Sequence, residues 1–200
     1  MKIGPRYKIA RRLGAGVFDK TQSAKFQARA ARKTRIISRP KSDFGIQLLE
    51  KQKARFTYGV GERQFSRYVK NAIAQKKQKA ADELYRTLES RLDNVVYRMG
   101  IVVSRAAARQ MVSHGHITVN GKKVSIASFK VSPKDKVAIR EASKNKALFQ
   151  NLDEKLKEVR TPNWIKFNPE TKVAEIATPP KREGSETFFD INAIVEFYKR

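Results

Sequence analysis

The dipeptide Asn120-Gly121, set between alternating Ile117 and Val119 and a following Lys122-Lys123-Val124, constrains this chain more than any other feature. A two-residue type I′ turn needs positive φ at both central positions, which asparagine and glycine tolerate best. A hairpin is therefore expected here. Beyond it, Pro133, Lys134 and Asp135 turn the chain into residues 136–140, where Val137 and Ile139 again alternate with polar neighbours and mark another strand.

Two helices are expected ahead of the hairpin. Leu92, Val95, Val96 and Met99 recur three and four apart, one face of a helix that Gly100 ends. Ser104 stands at an N-cap position, residues 105–112 form the next helix, and Gly115 lies just past its end as a residue able to take positive φ. Ala108, Met111 and Val112 supply its buried stripe, while Arg105 and Arg109, four apart, share another face. On this reading Arg91, Arg98, Arg105, Arg109, His114, Lys122 and Lys123 lie on or near the non-core surface. A basic helix beside a basic hairpin suits a phosphate backbone.

Composition points the same way. A formal net charge of +25 repels itself unless a polyanion is bound, which leaves nucleic acid or an anionic membrane surface. No run of eighteen apolar residues occurs and the N-terminus lacks a signal-peptide core, so a cytoplasmic chain with no membrane partner is expected. The absence of cysteine removes disulfides, thiolate nucleophiles and thiolate metal sites together. Two histidines, His114 and His116, could be a ligand pair, but satisfied or RNA-facing imidazoles fit better, and neither metal nor cofactor is expected.

Residues 1–60 hold sixteen Lys or Arg against three acids, so contacts with a polyanion should be densest there. Up to Lys41 the periodicity is weak, as in a disordered basic tail or a segment ordered by its partner. Ile3, Tyr7, Ile9, Leu13, Phe18 and Phe26 favour the second. Gly14 and Gly16 could open a dinucleotide fingerprint, but Asp19 occupies the third glycine position and no strand precedes them. Asp43 can cap a helix running to about Phe56, and Gly59 and Gly61 separate it from a helix whose buried stripe is Phe65, Tyr68, Val69, Ala72 and Ile73. Arg63 and Arg67 flank that stripe, as Lys51 and Arg55 do on the helix before; phosphate contacts are expected of both pairs.

Leu84, Leu88, Leu92, Val95 and Val96 continue one helical stripe into the central module. After Glu141 come a polar helix over residues 143–159, two short strands around Asn168-Pro169, and a last amphipathic helix on Ile191, Ile194, Val195 and Tyr198 that should dock on the N-terminal helices. The expected class is α+β. Residues 1–42 form a basic extension, residues 43–90 a helical domain completed by residues 142–200, and residues 91–141 an inserted module of two helices and a short antiparallel sheet.

The segments RLDNVVYRMG, SRAAARQMVSHGHITVNGKKV and KVSPKDKVAIRE resemble the small RNA-binding module named after the fourth protein of the small ribosomal subunit. That module also occurs in tyrosyl-tRNA synthetases, rRNA pseudouridine synthases and a ribosome-associated heat-shock protein. SDFGIQLLEKQKARFTYGVGERQFSRYVKNA, the opening IGPRYKIARR and the closing DINAIVEFYKR resemble the bacterial ribosomal protein family itself. The resemblance implies a ribosomal, cytoplasmic protein that binds small-subunit rRNA early in assembly, at a multi-helix junction of the 5′ domain. It also implies neighbouring small-subunit proteins as partners, among them the fifth, mRNA where it enters the ribosome, and an influence on decoding accuracy. RNA contacts are expected from Arg11, Arg12, Lys51, Lys53, Arg55, Arg63, Arg67, Ser104, Arg105, Arg109, Ser113, His114, Lys122 and Lys123. Many relatives carry zinc-binding cysteines near the N-terminus. This chain has none, and its loop at Arg39 to Ser42 is short for the family.

A catalytic role finds no support in the residues. Asp153, Glu154 and Glu158, the tight acidic group, alternate with lysines as a solvated helix face does, and no Ser-His pairing or P-loop is present. A ribosomal rRNA-binding protein and a free-standing RNA-binding factor remain, and resemblance on both flanks of the module favours the first.

Overall fold

The computed structural model describes residues 3–32, 42–75, 79–144, 146, 149, 161–182 and 187–200. They form two compact units, one of residues 1–84 and 182–200 and one of residues 85–181. The expected helix over residues 143–159, with Asp153, Glu154 and Glu158, lies largely outside the described residues, as does the short loop at Arg39 to Lys41.

In the first unit α1 (Arg6–Leu13) runs into two 3-10 turns and α2 (Ala24–Arg32). Ala10, Leu13, Val17 and Phe18 are buried together, with Ile9, Phe26, Leu49 and Phe56 packed against them. Part of the stretch read as a basic extension therefore has buried side chains. The weak periodicity reflects short pieces, helices of eight and nine residues and two 3-10 turns of three, with no continuous stripe.

Helix α3 (Asp43–Thr57) is capped by Ser42, whose hydroxyl accepts from the Gly45 amide at 3.3 Å, one residue earlier than expected. Helix α4 (Glu62–Ala74) buries Phe65, Val69 and Ala72. The last helix, which we number α8 (Ile191–Lys199), starts at an Asp190 cap and buries Ile191, Ile194 and Val195. It docks on α3 and α4 as its stripe requires, with the Phe44 and Phe197 rings 5.4 Å apart.

The boundary between the units falls inside α5 (Ala80–Glu89). The stripe read as one helix is broken at Ser90-Arg91, and α6 (Leu92–Arg98) starts afresh. The break has a cause: Arg91 takes extended φ/ψ and forms an isolated β-bridge with Lys130, while the Leu92 amide donates to the Phe129 carbonyl at 2.8 Å. Helix α7 (Arg105–Ser113) then packs on α6, and a five-stranded antiparallel sheet follows in the order β2-β1-β3-β5-β4. These strands are β1 (Ile117–Val119), β2 (Lys122–Lys123), β3 (Lys136–Ile139), β4 (Ile165–Asn168) and β5 (Val173–Ile176). In register, Ile117 faces Ile139, Val137 faces Ala174 and Ile165 faces Ile176, so one face of the sheet joins Leu92, Val96, Met111 and Val112 in a single core.

The expected strands around Asn168-Pro169 exist, but they extend the sheet of the module rather than completing the helical unit. Ala174 and Ile176 can be buried only against a sheet that already presents Val137 and Ile139. Of residues 142–200, residues 182–200 return to the first unit.

At the hairpin, Asn120 (φ 50°) and Gly121 (φ 78°) both take positive φ, as a type I′ turn demands. Gly121→Val is expected to cost about 1–3 kcal/mol, because a β-branched side chain is strained in this region. A thermal melt followed by circular dichroism should show a lower Tm; an unchanged Tm would mean that the turn relaxes freely. Asn120 does more than turn the chain: its Nδ2 donates to Asp135 at 2.8 Å and its Oδ1 accepts from the Lys136 amide at 2.9 Å.

Candidate nucleic-acid interface

The fourteen basic or polar residues singled out from the sequence divide by what they touch. Arg11 and Arg12 are exposed in the last turn of α1, and Arg63 and Arg67 are exposed on α4 opposite its buried stripe. Ser113, His114, Lys122 and Lys123 are exposed around the end of α7 and the hairpin. Lys123 crosses closely over Gly115 (φ 72°), where an added Cβ would meet its Cε. Glycine therefore permits both the helix end and the path of the lysine.

The residues chosen on α3 are engaged inside the protein instead. Lys51 is buried, with its ammonium 2.9 Å from Glu62 Oε1 and 4.8 Å from the centre of the Phe197 ring. Arg55 reaches Glu62 Oε2 at 2.6 Å and covers the Phe56 ring, and Lys53 pairs with Glu50 at 2.6 Å. Glu50 also accepts from the Asp190 amide, so this cationic row anchors α8. Two acids, Glu50 and Glu62, are thus placed against the three cations of α3 from which phosphate contacts are expected. Burial works against ionisation of Glu62, but Lys51, the Tyr198 hydroxyl and Arg55 outweigh it and hold its carboxyl below the usual range. Burial and the neighbouring Glu62 push Tyr198 well above an ordinary phenol.

On the module, the Ser104 hydroxyl is spent on the Ala107 amide as the N-cap of α7. Arg105 Nε donates to Asn94 Oδ1 at 2.7 Å and its guanidinium lies 4.4 Å from the Tyr97 ring centre. Arg109 donates from Nε and Nη2 to Asp93 Oδ2 at 2.9 and 2.6 Å. Arg91, expected near the surface, is buried and makes a two-pronged pair with Asp93, Nε to Oδ1 at 3.0 Å and Nη2 to Oδ2 at 2.8 Å. Arg98 grips Glu89 in the same way, at 2.8 and 3.1 Å.

Glu89, Asp93 and Asn94 are therefore the residues of this surface that sequence reasoning missed. The available signal was three polar residues interrupting the apolar stripe from Leu84 to Val96 beside four arginines, a pattern that a solvated face does not need. The side chains of Arg105 and Arg109 keep partial exposure beside these partners.

His116 Nδ1 lies 3.0 Å from the Ser143 hydroxyl, and burial, followed by the positive charges of Lys146, His114 and Arg140, lowers its pKa. Among the described residues no group of three potential ligands could hold a metal, and no helix is long and apolar enough to cross a membrane.

Residues 1–89 match the family described as the ribosomal protein S4/S9 N-terminal domain, and residues 90–137 match the S4 domain. The chain is similar to the small ribosomal subunit protein uS4 of Roseiflexus sp. (strain RS-1), at 43% identity over 98% of each chain. It is 40% identical to that of Chlorobium limicola over 96% of each, and 40% identical to that of Akkermansia muciniphila over 98% of each. With both of its sequence regions matched and its relatives covered almost from end to end, the chain belongs to the ribosomal protein S4 family.

Proposed function

We propose that this chain is a structural, non-enzymatic constituent of the small ribosomal subunit in the cytoplasm, and that it binds small-subunit rRNA through exposed cations of both units. The observation that carries this reading is the similarity to small ribosomal subunit proteins over nearly the whole chain rather than over the module alone. A net charge of +25 and exposed Arg11, Arg12, Arg63, Arg67, Lys122 and Lys123 support it. Sucrose-gradient fractionation of lysate tests it: the chain should sediment with the small subunit at high salt, whereas a free-standing RNA-binding factor would wash off.

Within that role we place the chain early in assembly, at a multi-helix junction of the 5′ domain, with the fifth small-subunit protein as a neighbour. A place beside incoming mRNA and an effect on decoding accuracy belong to the same proposal. They are supported by the sequence resemblance and by the presence of basic surface on both units.

Affinity for an rRNA transcript is expected to fall steeply with salt, because neutralising phosphates releases counterions. With about six to ten phosphates neutralised, the drop between about 50 and 200 mM salt is about three to five orders of magnitude on the duplex-DNA scale. Filter binding across that range measures it, and a flat response would remove the phosphate backbone as the main contact.

A further inference from the structure

An acidic side chain ordinarily weakens the binding of a polyanion, and a chain of net charge +25 has no need of one near its ligand. Glu89 and Asp93 are nonetheless held almost wholly buried beneath the arginines of the module. Asp93 takes Arg91 and Arg109, while Glu89 takes Arg98 at 2.8 Å and lies 4.0 Å from Arg105. Asn94 ties Arg105 to Glu89, donating to Glu89 Oε2 at 2.9 Å and accepting from Arg105 at 2.7 Å. The side chains of Arg98, Arg105 and Arg109 are 23, 17 and 29% exposed, so each is anchored and still reaches solvent.

We infer that Glu89 and Asp93 are positioning residues for RNA binding: they hold the guanidiniums of Arg98, Arg105 and Arg109 in place as a preformed receptor for phosphate. The inference rests on the RNA-binding reading of this surface. An arginine on a free stem loses its rotamer freedom when it grips a phosphate, whereas an anchored one has lost it already on folding. Guanidinium recognition of phosphate is planar and two-pronged, so orientation matters as well as charge. A consequence follows in the sign of one substitution. Simple Coulomb repulsion makes Asp93→Asn bind RNA more tightly, because a negative charge is gone. Positioning makes the same variant bind more weakly.

The test uses the full chain and a transcript of small-subunit rRNA in filter binding at fixed salt, with the folded fraction of each variant measured by circular dichroism. Asp93→Asn and Glu89→Gln are each expected to weaken binding by about tenfold, the loss of one charge-assisted contact. Arg109→Lys keeps the charge and gives up the fork, so it should weaken binding severalfold without altering net charge. In an Arg109→Ala background, Asp93→Asn should cost much less further affinity, since the two act as one unit.

Folded Asp93→Asn protein that binds as tightly as wild type, or more tightly, overturns the inference. So does Arg109→Lys with wild-type affinity, and that arm decides alone if Asp93→Asn does not fold. Lys122→Ala with Lys123→Ala separates this failure from that of the underlying reading. If the lysine pair weakens binding while Asp93→Asn does not, the surface stands and positioning falls; if neither the lysine pair nor the arginine variants change affinity, the RNA assignment of the surface itself is wrong.

Discussion

Replacing Arg91 by alanine is expected to destabilise the module by about 3 kcal/mol. Arg91 and Asp93 are each only 4% exposed, and they meet through two parallel hydrogen bonds of 3.0 and 2.8 Å. Removing one partner of a buried ion pair costs about 3–5 kcal/mol, because the other charge stays in a medium that solvates it poorly. The lower end applies here, since Arg109 remains at 2.6 Å from the same carboxylate. Such a loss is a large share of the roughly 5–15 kcal/mol that hold a domain folded. Denaturant titration of the full chain, read by circular dichroism, would move the midpoint down with an unchanged slope. A loss under about 1 kcal/mol would show that Arg109 alone satisfies Asp93.

The opposite pattern is expected on α4. Arg63 and Arg67 lie four residues apart, both exposed, on the side away from buried Phe65 and Val69, and neither has an ion pair among the described residues. Alanine is the best helix former, so Arg63→Ala with Arg67→Ala should leave the melt unchanged. If each arginine meets a phosphate, each contact contributes about 1.5–3 kcal/mol, and affinity for the rRNA transcript should fall by about a hundredfold or more. Unchanged affinity with an unchanged melt would assign this face to solvent. The contrast matters for Arg105 and Arg109: their replacement also removes partners of buried Glu89 and Asp93, so a weakened complex there mixes loss of contact with loss of fold.

Local chemistry was legible in the sequence wherever it decides conformation by itself. Asn120-Gly121, Gly100 and Gly115 all take the positive φ their positions require, and Ser104 caps α7 as its place predicts. The stripes of α4, α7 and α8 bury most of the residues their spacing selects, with Tyr68, Ile73 and Tyr198 half-buried. What escaped was tertiary choice of partner. A strand pattern such as residues 173–176 announces an apolar face without naming its neighbour, and β3, some 35 residues upstream, is reached only through the fold. Likewise, Glu62 reads as an ordinary first-turn acid until Lys51, Arg55 and Tyr198 are seen to converge on it.

The way the two units share the chain bears on the order in which they can be completed. The module is one uninterrupted run, residues 85–181, whereas the helical unit needs residues 182–200 as well as everything before residue 85. During synthesis the chain emerges from its N-terminus, and domains fold as units once all their parts are out. The middle of this protein can therefore close while the beginning still waits for α8, whose Ile191, Ile194 and Val195 fill the remaining core. A chain cut short after the module would keep β1 through β5 and leave α3 and α4 with an uncovered apolar groove, a surface that invites aggregation or recognition by chaperones.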